Sequence, residues 1–400
     1  MSRNPLPRST PLALALTITS ALALALIAGC SGDLAEILGV HASRSAVVPD
    51  FGNNRVLIYE QPLSSGQPAT TVLGQPDFAT TSSGGTASKL NGPNGVSADG
   101  PGNLYVADTN NNRVLRFNTP LASGMAASIA LGQPDLTTVT SPGGAGATAT
   151  TLNAPSDAAV DPAGNVWVSD SANNRVVMYA APISSGMAAT VALGQASLTS
   201  SGCGVSATAL CNPVGIASDA AGNLWVADAD NNRVVRFPAS SATGAAATIT
   251  LGQPDLNSNA SNNGGLSASS LSSPNAVIVD NLGNVWVADA GNNRVLGFQP
   301  PITTAMAATV VLGQPDFVSN TGSATAATLS SPSGLQVTDV NHLLVGDTGN
   351  NRSLVFAGPF ANGMSATTVL GKPISPAMAQ TRAAQRPPPL KVSRGARGRR

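Results

Sequence analysis

The sequence predicts an all-β fold, a six-bladed β-propeller whose blades are four-stranded antiparallel sheets. A motif that runs from an aspartate to an arginine five residues later occurs six times, and its arginines are 58, 62, 58, 61 and 58 residues apart. Between these motifs, short apolar segments alternate with turn residues, as in strands joined by tight turns. Repeats that each hold four strands are typical of propellers, in which each blade buries its sheet faces against its neighbours. The six pairs are Asp50–Arg55, Asp108–Arg113, Asp170–Arg175, Asp228–Arg233, Asp289–Arg294 and Asp347–Arg352.

The second unit illustrates the predicted elements in order. Residues 95–99 are predicted as the first strand and residues 101–103, Pro-Gly-Asn, as a turn. Residues 104–107 form the predicted second strand, which an Asn-rich turn joins to a third strand at 113–117. The short apolar stretch 128–131 is the predicted fourth strand. The same order recurs in the other units, so one blade describes the architecture of the ring.

Only one segment of each unit varies in length. The interval from each repeat arginine to the glycine of the following Leu-Gly pair is always nineteen residues, and the interval from the proline that opens a unit to its aspartate is always fifteen. In an up-and-down blade the variable segments and the aspartate–arginine turns lie on the same face, which is where a rigid scaffold presents changeable loops. Their Ser, Thr, Gly and Ala content fits a surface that binds protein or carbohydrate, and fits unstructured connectors as well. The variable segments are residues 78–91, 136–153, 198–212, 256–273 and 317–331.

The units resemble NHL repeats between residue 47 and about residue 371. The shared motifs are Pro-x-Gly-Val/Ile-x-x-Asp, Gly-Asn-Leu/Val-Trp/Tyr-Val-Ala-Asp and Asn-Asn-Arg-Val. The resemblance implies a binding platform for protein or RNA, and related propellers are lyases or lactonases, so the fold alone does not select a function. The first unit departs from the pattern because no first strand precedes Val47. Residues 34–40 could supply it, or residues around Ile374; we favour the former because Pro373 and Pro376 interrupt the latter.

The N-terminus carries the features of an export signal. Two arginines precede an apolar run at residues 12–28, which ends in small residues before Cys30. The sequence Leu-Ile-Ala-Gly-Cys at 26–30 resembles a bacterial lipobox, which implies lipidation of Cys30; an uncleaved transmembrane anchor is the alternative. By the same resemblance, Ser31 after that cysteine implies the outer membrane or cell surface. We therefore expect a lipoprotein signal peptide at 1–29, a lipid anchor and linker at 30–46 that could include the first inner strand, and the propeller at 47–374.

Charge is segregated along a chain whose formal net charge is zero. Between Asp50 and Lys372, eighteen acidic residues face ten basic ones, which leaves eight negative charges. This acidic ring disfavours nucleic acid as a partner, because it would repel phosphates, and we expect no nucleic-acid binding. Residues 375–400 are rich in Pro and Arg and are predicted as a disordered basic tail; contact with anionic lipid or polysaccharide is the alternative.

Two cysteines remain once Cys30 is assigned to the lipid. Cys203 and Cys211 are expected to form a disulfide in an oxidising compartment. A metal site is the alternative, but two thiols without a nearby histidine do not complete the four ligands of zinc.

The repeated polar and aromatic residues are interpreted as scaffold. A group that occurs once per blade does not create the asymmetry of a catalytic centre, so we expect the aspartates and asparagines to cap turn amides. The arginines are expected to pair with carboxylates or carbonyls. The aromatic residue four positions after each repeat arginine, together with Trp167, Trp225, Trp286 and Tyr105, is expected to pack between blades.

A metal site is the sharpest local hypothesis. Asp157 replaces the small residue that stands at Gly95 and Gly215 in other units. With Asn94, and with Asn275 from across the ring, it could offer oxygen ligands to Ca²⁺ or Mg²⁺. A solvated mouth of the central channel is the alternative, since hard-cation sites usually collect several carboxylates.

The residue inventory disfavours an enzyme. The two histidines are His41, before the ring, and His342, in a turn on the face opposite the variable segments. Glu36 and Glu60 are the two glutamates, which leaves little for a lactonase-like metal cluster. We expect no cofactor and no catalytic residues. The sequence favours a monomeric, lipid-anchored binding or scaffold module of the cell envelope with a protein or carbohydrate ligand, and a metal-dependent lyase or lactonase is the alternative.

Overall fold

The computed structural model describes residues 45–140, 146–339 and 341–371, and within them twenty-three strands form six antiparallel sheets arranged as the blades of a ring. The predicted six-bladed β-propeller is confirmed. Five sheets have four strands in sequence order, and the first sheet has three strands among the described residues. In each blade a single 3-10 turn follows the strand that ends in the repeat aspartate.

The strands and turns have the following bounds. Blade 1 comprises β1 (Ala46–Asp50), β2 (Arg55–Tyr59) and β3 (Thr71–Leu73). Blade 2 comprises β4 (Pro93–Ala98), β5 (Leu104–Asp108), β6 (Arg113–Phe117) and β7 (Ile129–Leu131). Blade 3 comprises β8 (Pro155–Val160), β9 (Val166–Asp170), β10 (Arg175–Tyr179) and β11 (Val191–Leu193). Blade 4 comprises β12 (Pro213–Ser218), β13 (Leu224–Asp228), β14 (Arg233–Phe237) and β15 (Ile249–Leu251). Blade 5 comprises β16 (Pro274–Val279), β17 (Val285–Asp289), β18 (Arg294–Phe298) and β19 (Val310–Leu312). Blade 6 comprises β20 (Pro332–Asp339), β21 (His342–Asp347), β22 (Arg352–Ala357) and β23 (Thr368–Gly371). The 3-10 turns are Phe51–Asn53, Thr109–Asn111, Ser171–Asn173, Ala229–Asn231, Ala290–Asn292 and Thr348–Asn350.

The core lies between the blades. One buried cluster joins Tyr105 of blade 2 to Val168 and Tyr179 of blade 3, and Tyr179 is fully buried. Another joins Trp225 of blade 4 to Phe298 of blade 5. Large rings remove more apolar surface from water than any other side chain, so each recurrent aromatic stabilises one blade interface. The prediction that these rings pack between blades is confirmed.

The outer strands are tied to the following blade, and this tie closes the ring. Gly124 in blade 2 donates its amide to the Val72 carbonyl of blade 1. The same contact joins the first and last blades, where Gly66 donates to the Val369 carbonyl at 3.1 Å and the Val369 amide donates to Ser65 Oγ at 3.2 Å. Covering an outer strand in this way leaves less of its edge free to pair with another chain.

The inner edge of β1 is bonded by a side chain from blade 6. Gln336, on β20, accepts a hydrogen bond from the Val47 amide at 2.9 Å and donates to the Ser45 carbonyl at 3.0 Å. A carboxamide matches the donor and acceptor of a peptide group, so it satisfies two main-chain groups of β1 as a neighbouring strand would. The two segments predicted to supply the first strand of this blade lie outside the described residues.

Several other expectations also fall outside the described residues. These are the signal peptide at 1–29, the lipidated Cys30 and the basic tail at 375–400. Within the part of the chain that the structure describes, no helix has the length and apolar character needed to cross a bilayer.

Candidate functional site: the loop face

The face that carries the 3-10 turns and the variable connections is called the loop face here, and its repeat arginines are buried. In blade 4, Arg233 donates from Nε to Asp228 at 2.8 Å. Its Nη2 donates to the carbonyls of Ser206 at 3.0 Å and Ala209 at 2.9 Å, which belong to the connection before the blade. Its Nη1 donates to the Leu256 carbonyl at 2.5 Å, in the connection after the blade. One guanidinium therefore joins two successive connections.

The partner aspartate is saturated with donors. Asp228 accepts the Cys211 amide at Oδ1 and the Asn231 side chain at Oδ2, in addition to Arg233. Burial raises the pKa of Asp228, and the Arg233 charge together with these hydrogen bonds opposes that rise. Both members of the pair are fully buried. A buried pair with every oxygen occupied is a structural element, because no reacting group could reach it.

The same pair recurs in every blade. In blades 2 to 6 the aspartate also accepts a main-chain amide and the arginine binds main-chain carbonyls, as expected from the sequence. In blade 1 the Arg55 and Asp50 side chains are 16% and 24% exposed, whereas in the other blades neither member is more than 2% exposed. The Nε to Oδ2 distances elsewhere are 2.8 Å for Arg113–Asp108, 2.6 Å for Arg175–Asp170, 2.7 Å for Arg294–Asp289 and 2.6 Å for Arg352–Asp347.

A second contact set fixes each connection to the blade before it. Asn232 ends its 3-10 turn with a left-handed backbone, φ 51°, which asparagine tolerates better than most residues. Its Oδ1 accepts the Ser273 amide at 2.9 Å and its Nδ2 donates to the Asn259 carbonyl at 3.0 Å. The described parts of the variable segments are therefore held at fixed points and are not free connectors.

Apolar side chains are exposed mainly on this loop face. Val139 and Val318, in the connections after blades 2 and 5, are 39% and 67% exposed. Phe51 and Phe78, both near blade 1, are 52% and 45% exposed. Leu282, in a turn on the opposite face, is 72% exposed. Among the large hydrophobic residues that the structure describes, four of the five that are exposed thus share the loop face, and sequence reasoning had not singled them out.

Ionised carboxylates surround these apolar residues. The amides of Thr137 and Thr138 lower the pKa of the exposed Asp135 to about 2. Turn amides or hydroxyls also lower the pKa of Asp77, Asp255 and Asp316, which open the equivalent connections. The Lys89 ammonium bonds to Gln75 and Ser82. At neutral pH the rim of the loop face is therefore negatively charged.

Cys203 and Cys211 are joined by a disulfide, with their Cα atoms 4.5 Å apart. The bridge lies in the connection from blade 3 to blade 4 on the loop face. Cys211 is 8% exposed and donates its amide to Asp228, so the bridge begins at one of the repeat anchors. The bond closes a short loop within this variable connection, and the Asp228 carboxylate holds the end of that loop on the scaffold.

Asp157 lies among three inner strands. Its Oδ1 accepts the Ala158 amide at 2.8 Å and its Oδ2 accepts the Ile216 amide of blade 4 at 3.0 Å. A Cβ built on Gly95 of blade 2 would lie 2.1 Å from its Oδ1. Desolvation raises its pKa to about 7, and the two amides oppose that rise. The carboxylate thus connects three blades.

The structure does not bond the other two candidate metal ligands to Asp157. Asn94 lies on β4 and Asn275 on β16, both half-buried, and among the described residues neither hydrogen-bonds to the carboxylate. In the same part of the chain, no group of three or more His, Cys, Asp and Glu side chains is positioned to hold a metal ion. His342 begins β21 opposite Ala357. His41 lies outside the described residues.

The opposite face has a cavity of about 280 Å³ between blades 4 and 5. Arg236 and Trp225 line it, and the guanidinium carbon lies 5.8 Å from the ring centroid, as in a cation–π contact. Val279 and Ile302 form apolar walls. The signal in the sequence was an arginine three residues after the repeat arginine, which occurs in blades 2 and 4 alone.

Comparison with known proteins identifies the repeat. The NHL repeat profile matches residues 90–117, 152–179, 210–237 and 271–298, which cover blades 2 to 5 from the leucine before each inner strand to the aromatic of the third strand. No curated protein matches the sequence significantly.

Similar solved structures include virginiamycin B lyase from Staphylococcus aureus, with 13% identity over 75% of this chain and 76% of the other at a TM-score of 0.39. A nidogen/laminin complex has 14% identity over 81% of this chain and 97% of the other at 0.47. A gluconolactonase from Xanthomonas campestris has 16% identity over 80% and 81% at 0.41. At these values the similarities identify no shared activity. The chain therefore carries NHL repeats within a six-bladed β-propeller.

Proposed function

We propose that the protein is an exported, lipid-anchored binding or scaffold module of the cell envelope that engages a protein or carbohydrate ligand through its loop face. The observation that carries the proposal is the concentration of exposed apolar side chains on that face. Val139 and Val318 project from connections whose ends the repeat arginines hold. Exposed apolar residues on a fixed scaffold favour binding, since water-exposed apolar area is stabilised when a partner covers it.

The repeat anchors support a binding role over a catalytic one. In blades 2 to 5 the repeat arginine and aspartate are fully occupied by other groups of the scaffold, as the Arg233 and Asp228 contacts illustrate. Acid–base chemistry needs a titratable group within reach of a substrate. The loop-face carboxylates that reach solvent have lowered pKa values: that of Asp135 is about 2, and that of Asp316 lies below its usual value. Because such groups stay ionised at neutral pH, they suit charge complementarity better than proton transfer.

Export and anchoring rest on the N-terminal signal pattern and the cysteine at its end. The disulfide between Cys203 and Cys211 fits an oxidising compartment. Acyl labelling in cells tests this part of the proposal: Cys30→Ser is expected to abolish both the label and membrane retention. Continued labelling of that variant would refute lipid attachment at this cysteine.

Photo-crosslinking on intact cells tests the binding face. A photoreactive residue placed at Val139 or Val318 is expected to capture a discrete adduct, either protein or glycan. The same residue at Leu282 is a matched control, because this side chain is at least as exposed as Val139 and Val318 but lies on the opposite face. Equal adducts from all three positions, or adducts from Leu282 alone, would refute binding through the loop face.

A further inference from the structure

The cavity between blades 4 and 5 combines two departures from the repeat. Arg236, on β14, has a counterpart only in blade 2, Arg116, and the other blades have Ile, Met, Gly or Val at this position. Asn281 follows the turn aspartate of blade 5, where blades 2, 3 and 4 have Gly, Pro and Ala. Both side chains line the cavity. Because the two occur together at this interface alone, the cavity has an asymmetry that the repeat itself does not create.

The Arg236 guanidinium has donors without acceptors. Its Nη2 lies 3.4 Å from Thr248 Oγ1, which is long for a hydrogen bond, and its Nε is buried with no acceptor. Among the described residues it takes part in no ion pair. The Trp225 ring holds it on one side, at 5.8 Å from the ring centroid. Since a guanidinium carries five N–H donors, its remaining groups are available to an acceptor in the cavity.

Two aspartates also line the cavity, but their oxygens are occupied within their own turns. Asp219 accepts the amides of Ala221 and Asn223, the Asn223 carboxamide and the Trp225 indole. Asp280 accepts the equivalent groups of its own turn and the indole of the next blade's tryptophan position. With one guanidinium, the two carboxylates leave the lining with a net charge of about −1 at neutral pH. The lining therefore offers donors to an uncharged acceptor and opposes an anion.

The remaining walls are apolar and the space suits a ring. Val279 and Ile302 line the cavity, whose volume is about 280 Å³. A cavity of about 150 Å³ accepts one benzene molecule, so this one has room for a ring with a substituent. At the next interface, between blades 5 and 6, Phe360 stands at the position of Ile302 and its ring packs 4.7 Å from that of Trp286. The chain thus places a ring of its own at one interface and a shorter side chain at the other.

We propose that the cavity binds an uncharged organic molecule of about ten to fifteen non-hydrogen atoms, with a ring against Val279 and Ile302 and a carbonyl oxygen that accepts from Arg236. Asn281, whose carboxamide makes no hydrogen bond among the described residues, adds a donor and an acceptor at the exposed rim. The site lies on the face opposite the loop face. It is therefore independent of the protein or carbohydrate ligand proposed for that face, and either proposal can fail without the other.

Fluorine NMR relaxation of three small probes tests the recognition. The probes are para-fluorobenzamide, para-fluorobenzoate and para-fluorobenzylamine, which share a ring and differ in charge. The amide is expected to bind the full-length protein most tightly, with a Kd on the order of 1 mM for a ligand of this size. Tighter binding of either ion, or no binding of the amide at about ten times that concentration, would overturn the proposal.

Variants locate the bound probe. Arg236→Ala is expected to weaken binding of the amide at least about tenfold, because it removes a charged donor to the carbonyl. Arg116→Ala is the matched control: it removes the arginine at the same position of blade 2, where Pro162 stands in place of Asn281, and is expected to leave the affinity unchanged.

A third variant fills the cavity and keeps the arginine. Ile302→Phe introduces the ring that the next interface has at Phe360 and is expected to weaken binding by a similar factor. Thermal unfolding of each variant shows that it is folded. Equal losses in Arg236→Ala and Arg116→Ala, or full affinity in both Arg236→Ala and Ile302→Phe, would place the probe elsewhere and overturn the proposal.

Discussion

Replacing Asp157 by glycine tests whether one carboxylate makes the stability of the ring depend on pH. Glycine occupies the same position at Gly95, Gly215 and Gly334, so the substitution restores the pattern of the repeat. The pKa of Asp157 in the fold is raised by desolvation from 3.8 to about 7. Each unit of that difference corresponds to about 1.4 kcal/mol of folding free energy.

Because the folded-state pKa exceeds the unfolded-state pKa, the folded protein binds one additional proton between these values. The contribution of this group to stability is complete below about pH 4 and is lost as the pH rises through about 7. The full shift corresponds to about 4 kcal/mol; since the side chain is half-buried and solvent reaches it, we expect about 2 to 4 kcal/mol.

Urea unfolding of the parent protein and of Asp157→Gly, at several values between about pH 4 and pH 8, measures this term. The difference in free energy of unfolding, parent minus variant, is expected to fall across that range. Asp157→Asn, which keeps the size of the side chain without its titration, should give the same trend. Parallel stability curves for the parent and both variants would refute the assignment of the raised pKa.

Three further predictions concern the scaffold and its ligands. Arg175→Ala is expected to reduce the free energy of unfolding by about 3 to 5 kcal/mol in urea titrations, because it leaves a buried carboxylate and loop carbonyls without their donor. Arg236→Ala, which removes a half-buried arginine without a carboxylate partner, should cost less than about 1 kcal/mol. Gly95→Ala is expected to lower the free energy of unfolding by about 1 to 3 kcal/mol through overpacking against the next blade, whereas Gly334→Ala, with no atom within 4 Å, should be neutral. Chelation with EDTA is expected to leave Tm unchanged, and elemental analysis should find no stoichiometric Ca²⁺, Mg²⁺ or Zn²⁺.

Each of these has a contradicting outcome. Equal losses for the two arginine variants would show that burial of the Asp170 pair contributes nothing. Equal losses for the two glycine variants would place the effect in chain entropy and not in the contact. A stoichiometric metal whose removal lowers Tm would favour the metal-dependent enzyme over the binding module.

The repeat made most of the fold predictable. Each strand of blade 2 was placed within two residues of its observed bounds, since tight turns such as Pro101–Asn103 limit where strands can end. The scaffold role of the arginines was predictable because a residue type repeated in six units cannot create an asymmetric site.

The candidate site was less predictable. The exposure of Val139 and Val318 depends on how each connection folds over its blade, and the sequence pattern does not encode this. The neighbours of Asp157 were also hidden, because contact with the Ile216 amide joins residues from different blades. The Gln336 contact with β1 was missed because it spans almost the whole ring in sequence.

Each repeat arginine binds carbonyls at the end of the connection before its blade and at the start of the connection after it. A connection can therefore change in length only between these two bound points. The chain can lengthen there, as between Gln133 and Thr148, while Thr148 and Thr151 still meet Arg175. The protein is in this sense a framework with five exchangeable inserts. A foreign segment could be grafted between the start of a connection and the carbonyls that the next repeat arginine binds, such as those of Thr148 and Thr151, and the ring would retain the same contacts.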